Sequence, residues 1–171
     1  VITYDGSLDA PTNAGSYAIT GTVSALNYAG SAVATLTVAQ ASQVITFAAI
    51  GDQVATNVVV LGASASSGLP VSFAIVGGPG QLSGGTNLAF TGPGEVRVVA
   101  SQGGDANYAA APEVTNTFQV SKAPATVLLA GLAQTFDGTA KLVTATTDPT
   151  GLAVVITYDG SLDAPTNAGS Y

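Results

Sequence analysis

The segment VITYDGSLDAPTNAGSY occurs twice without change, as residues Val1 to Tyr17 and again as Val155 to Tyr171. An unbroken match of 17 residues, at an offset of 154 in a chain of 171, is beyond chance. It makes the sequence one period of a tandem array plus an overlap into the next. A chain built this way folds as repeated units that each bury a core and meet their neighbours at interfaces. What such a chain does is then a property of the array.

The pattern along the chain is that of β-strands. Tyr17, Ile19, Gly21 and Val23 alternate with Ala18, Thr20 and Thr22; Val71, Phe73 and Ile75 alternate with Ser72 and Ala74; Val96, Val98 and Ala100 alternate with Arg97 and Val99. This is the two-residue period of half-buried strands. Apolar residues nowhere recur at helical spacing over ten residues, so no substantial helix is expected. Turn signals fall between the runs at Asp5-Gly6, Gly84-Gly85, Gly103-Gly104, Asp137-Gly138, Asp148-Pro149 and Asp159-Gly160. Glycine takes positive φ without penalty and Asp bonds nearby backbone, so these pairs close short connections. Many short strands punctuated this often predict an all-β fold of tandem Ig-like sandwiches in an elongated array.

Charge narrows the function classes. Only 8 % of residues are charged, and three cations stand against ten carboxylates for a net charge of −7. Three cations cannot form the basic surface that nucleic acid requires. No apolar run approaches the ~18 residues of a spanning helix, so membrane insertion is not expected. Cysteine is absent and no disulfide framework holds the fold. The first residue lies inside a strand pattern with no initiator Met or signal peptide, which reads as an internal stretch with any targeting segment outside it.

A weaker repeat lies inside the period. Gly15 to Val38 (GSYAITGTVSALNYAGSAVATLTV) and Gly94 to Val120 (GEVRVVASQGGDANYAAAPEVTNTFQV) both run strand, loop, Asn-Tyr-Ala, strand. The period therefore holds two related modules. Residues 1–40 are the C-terminal part of a split module, 41–122 a complete one, and 123–171 the N-terminal part of the next split module. The segment ATVLLAGLAQTFDGTAKLVTATTDPTGLAVVITYDGS (Ala125 to Ser161), with APTNAGSY and the NYAGSAVATLTV hairpin, resembles the bacterial repeats called MBG or YDG-type domains. QVITFAAIGDQ, ASSGLPVSF, ASQGGDANYAAAPEV and TFQV resemble the bacterial Ig-like module that accompanies them. The resemblance implies Ig sandwiches strung along large secreted or surface-anchored bacterial proteins, often adhesins, and hence an extracellular or cell-surface location.

Few residues invite chemistry. Histidine and cysteine are both missing, so no nucleophile has an evident base and no enzyme is expected. Calcium is the one cofactor to consider, because Asp5, Asp9, Asp159 and Asp163 lie in Gly- and Ser-containing loops. Their spacing lacks the dense acidic ladder of a calcium loop, and turn formation by Asp-Gly accounts for them. Asn27-Tyr28 and Asn107-Tyr108 recur at one place in both modules, which predicts a structural role with a buried ring and a bonded hydroxyl at a sandwich corner. Tyr4 and its copy Tyr158 read as core or turn-packing aromatics.

The expected function is mechanical: a repeat unit of a fibre, stalk or adhesin that supplies length and cohesion. A module binding a cell-surface receptor or a carbohydrate is the second reading. A third is a non-covalent filament in which split modules complete one another by strand addition. The expected partners are adjacent copies of the same repeat.

Overall fold

The structure, a computed structural model, describes all residues 1–171. It is all-β, with fourteen strands and no helix. The chain divides into two compact units, Val1–Lys122 and Ala123–Tyr171.

In the first unit, β1 (Ile2–Tyr4), β2 (Gly15–Thr22) and β3 (Ser31–Val38) form a meander in the order β1-β2-β3. The register sets Tyr4 opposite Ile19 and Ile19 opposite Ala34, with Tyr17 opposite Leu36. Directly opposed residues share a face. One face therefore carries Ile2, Tyr4, Tyr17, Ile19, Ala34, Leu36 and Val38, and the other is rich in Thr and Ser. No residue of 1–42 is buried.

The core of the unit lies further along. A four-stranded sheet, β5-β12-β11-β8, combines β5 (Gln53–Val54), β8 (Ser72–Gly77), β11 (Gly94–Ser101) and β12 (Val114–Ser121). A three-stranded sheet, β6-β10-β9, combines β6 (Val58–Val60), β9 (Gly80–Ser83) and β10 (Asn87–Phe90). Between them pack Leu88 from the smaller sheet and Val96, Val98, Phe118 and Val120 from the larger. Phe90 meets Phe118 edge-on with centroids 5.9 Å apart. β4 (Ile45–Phe47) pairs with β7 (Ala63–Ala65) and closes a second cluster around Ile45, Ala100 and Ala111. The alternation expected at 71–75 and 96–100 is present: Val96, Val98 and Ala100 are fully buried while Glu95 and Arg97 face out.

The second unit is one hairpin with long extensions. β13 (Thr126–Ala130) pairs with β14 (Thr144–Asp148), setting Val127 opposite Thr147 and Leu129 opposite Ala145. Gln134 holds the ends of the connection by donating Nε2 to the carbonyls of Gly131 (2.7 Å) and Leu142 (2.8 Å). No residue of this unit is buried.

The repeated 17-mer has the same turn in both units. Asp5 and Gly6 both take positive φ (48° and 84°), as do Asp159 and Gly160 (46° and 86°). That is the left-handed pair of a type I′ hairpin turn, which Asp-Gly suits. Each turn is closed by reciprocal backbone bonds, Tyr4 with Ser7 and Tyr158 with Ser161. The hydroxyls of Tyr17 and Tyr171 donate to the Asn13 and Asn167 carbonyls at 2.8 and 3.1 Å. What differs is pairing. Ile2–Tyr4 and Gly15–Tyr17 lie in strands, whereas their copies 156–158 and 169–171 do not.

Candidate functional site

The polar bonds that span the greatest sequence distance gather where the meander meets the sandwich. The β11–β12 loop carries Asp105, Asn107 and Tyr108. Asp105 closes it, its Oδ1 accepting from the amides of Asn107 and Tyr108, both at 2.8 Å. Gly104 makes the tight bend possible: its φ is +78°, and a Cβ there would sit 2.3 Å from the Tyr108 carbonyl oxygen. Asn107 then reaches the meander. Its Oδ1 accepts from the Ala14 amide at 2.8 Å, and its Nδ2 donates to Asn13 Oδ1 at 3.1 Å. The linker is fixed to the same loop. Ala41 donates its amide to the Asn107 carbonyl (2.8 Å) and accepts from the Ala109 amide (2.9 Å), while Gln40 Nε2 donates to the Asp105 carbonyl (2.7 Å).

Beneath this junction lies a buried amide network. Gln43 is 3 % exposed and Gln102 9 %. Gln43 Nε2 donates to Gln102 Oε1 and to the Ala109 carbonyl, and Ser67 donates its hydroxyl to Gln43 Oε1. Gln102 Oε1 also accepts from the Gly104 amide at 2.6 Å. No buried side-chain polar atom is left without a partner, as burial of polar groups requires.

The residues singled out from sequence fall into two sets. Asn107 and Tyr108 belong to the junction, through the Asn107 side chain and the backbone of both. The expected buried ring is absent at Tyr28, which is 77 % exposed. The Asn27-Tyr28 loop is closed by an antiparallel Ala25–Tyr28 bridge, where Tyr108 instead bridges in parallel to Ala41. Tyr4 is half-buried on the apolar face of the meander. The hydroxyl of Tyr158 accepts from the Val143 amide at 3.1 Å, tying the second turn to its hairpin.

The aspartates act as turn and strand anchors. Asp5 Oδ1 accepts from the Ala18 amide at 2.6 Å. The amides of Asp9 and Asp163 donate to the hydroxyls of Ser7 and Ser161, both at 3.1 Å. Asp159 stands in its Asp-Gly turn. Nowhere do three acidic side chains come together as a cation-holding group. Lys141 pairs with Asp137, and this bond, with one from Thr139, holds the Asp137 carboxyl well below the usual carboxylate range. Asn13, Gln40, Gln43 and Gln102 were not foreseen. The one signal available was the match between VAQAS at 38–42 and VSKAP at 120–124, which marks equivalent linkers.

No curated protein matches the chain. The sequence profile described as the MBG domain matches residues 1–42 and 125–171, more than half of the chain. These are the two segments that carry the repeated 17-mer and flank the central sandwich. The chain therefore belongs to the MBG domain family.

Proposed function

We propose that the chain is a structural repeat of an extracellular bacterial stalk or adhesin, supplying length and cohesion rather than catalysis. The observation that carries this reading is the path of the backbone through residues 41–122. The chain comes in at Ala41 beside the 102–109 loop, which precedes β12. It leaves at Ser121, the last residue of β12, whose carbonyl accepts from the Ala55 amide. The two points thus lie at opposite ends of an eight-residue strand, about 24 Å apart at 3.4 Å per residue. A module threaded end to end hands the chain onward and adds its length to an array. Short linkers bonded to the adjoining loop, as Gln40 and Ala41 are, limit bending there.

Small-angle scattering of tandem arrays with two, four and six 154-residue periods tests this. A maximum dimension that grows linearly with repeat number supports the stalk; a compact particle overturns it. The alternative, a module that recognises a receptor or carbohydrate on a cell surface, draws on the exposed Tyr28 ring beside Asn27. A glycan and cell-binding screen of the chain separates the two, since a spacer binds neither.

A further inference from the structure

Asn-Tyr-Ala stands in both modules of the period, at 27–29 and at 107–109. The hairpins that contain it start from matching pairs: Gly15 lies opposite Val38 in β2–β3, and Gly94 lies opposite Val120 in β11–β12. Aligned on those pairs, APTNAG at 10–15 falls on AFTGPG at 89–94, and VAQA at 38–41 falls on VSKA at 120–123. Each residue that ties the meander to the sandwich therefore has an aligned counterpart for the other joint of the period.

The tie after Gln40 is made by side chains on a fixed loop. Asn107 Oδ1 accepts from the Ala14 amide, and its Nδ2 donates to Asn13 Oδ1. Gln40 Nε2 donates to the Asp105 carbonyl. The loop that presents Asn107 is itself held, by Asp105 on the Asn107 and Tyr108 amides and by Gln102 on the Gly104 amide. Bonds at both ends of one planar amide set a direction as well as a distance.

The counterparts for the joint after Lys122 cannot repeat this. Asn27 keeps the side-chain amide, but Gly92 and Pro93 stand where its partners would be Asn13 and Ala14. Glycine has no side-chain acceptor and proline has no N–H, so neither Asn107 bond has an equivalent. Ala25 stands for Asp105 and brings no carboxylate to the loop. Lys122 stands for Gln40, and its ammonium is a hydrated charge on a flexible stem.

We propose that the array bends at one joint in every period: the joint after Gln40 is locked through Asn107, and the joint after Lys122 is a hinge. The inference rests on the repeat-array reading and adds where the array yields. The aligned linkers are equal in length, so the difference lies in the side chains around them. The rigid segment is one MBG module with the 43–120 sandwich that follows it. A stalk of such segments gives way under side load by turning at Lys122, with every sandwich intact.

The chain has no cysteine, so paired spin labels can be placed at will. Thr35→Cys and Thr117→Cys put them on exposed strand positions in a protein of two covalently joined 154-residue periods. Thr35 and Thr117 of the second period span the Gln40 joint. Thr117 of the first period and Thr35 of the second span the Lys122 joint. In double electron-electron resonance the distance distribution across Lys122 is expected to be several-fold the broader. Asn107→Ala in the second period should broaden the distribution across Gln40. Gly92→Asn and Pro93→Ala in the first period, with Ala25→Asp in the second, supply the missing acceptor, amide and loop cap and should narrow the distribution across Lys122. A Cβ at Gly92 meets nothing within 4 Å, and circular dichroism with thermal unfolding checks that each variant is folded. Equal widths at the two joints overturn the proposal. So does an Asn107→Ala protein whose Gln40 joint stays narrow, or a triple variant whose Lys122 joint stays broad. The stalk reading is judged apart from this: equal narrow widths leave it standing, and a compact particle in scattering overturns it whatever the widths.

Discussion

Gln102 sits one residue past β11, and its side-chain oxygen serves two donors at once, Gln43 Nε2 and the Gly104 amide. Removing it leaves the Gly104 amide without that acceptor in a part-buried loop. An orphaned buried donor costs about 1–3 kcal/mol. Gln102→Ala is therefore expected to destabilise the first unit by about that amount, or several degrees in melting temperature, measured by urea unfolding. Asn107 is a milder case because its partners are reached by water. Asn107→Ala should raise amide exchange at Ala14 while lowering stability by about 1 kcal/mol. Asp137 gives a pH effect of known sign. Its folded pKa is depressed by Lys141 and Thr139, so its stabilising contribution is present above the ordinary carboxylate value and is lost as pH falls below it. The group is on the surface and solvent-screened, so the clean readout is its own titration. By NMR it should remain ionised at pH values where other aspartates protonate, and Lys141→Met should move it part of the way back toward the ordinary range, the two Thr139 bonds being retained.

At the scale of elements, the two-residue period tells which side chains point together but not whether anything covers them. Val96, Val98 and Ala100 of β11 are buried because β10 and the second cluster lie over them. Val127 and Leu129 of β13 share a face and remain exposed. The alternation of β11 was legible; β13 was not, because Val127, Leu128 and Leu129 are all apolar and show no two-residue period, and the missing partner layer was hidden too, since burial belongs to a pair of sheets. The parallel pairing of β5 with β12 was likewise hidden, because a two-residue strand exists only through its neighbour. Among site residues, Asn107 was legible through its repetition with Asn27. Gln43 and Gln102 were not, because a glutamine on a strand flank reads as a solvent-facing residue unless its partner is known. The contrast in cover predicts a contrast in cost. Leu88→Ala, at a fully buried position of β10, should destabilise by about 2–5 kcal/mol. Leu128→Ala, on the exposed side of β13, should stay within about 0.5 kcal/mol. Denaturant midpoints of the two variants check both values.

For the molecule as a whole, every buried residue lies between Gln43 and Val120. The segments on either side are hydrogen-bonded but have no interior. A two-stranded hairpin is marginally stable in water, because three strands or a covering layer are needed to offset the entropy of ordering the chain. Backbone bonds in such a segment open locally rather than with the global transition. Hydrogen exchange on dilute chain should therefore show a gradient set by cover and not by secondary structure. Amides of Val96, Val98 and Phe118 are expected to exchange only through global unfolding. Those of Thr126–Ala130 and Thr144–Asp148 should exchange orders of magnitude faster, although they are equally paired in a ladder. The repeated 17-mer makes the comparison internal. Tyr4 and Tyr158 have identical sequence surroundings and the same turn, so their intrinsic exchange rates are equal. Any difference in protection between them reports the β2 strand that one has and the other lacks. Equal protection at the two positions in dilute solution would mean that the hairpin of residues 15–38 contributes nothing to holding its neighbour.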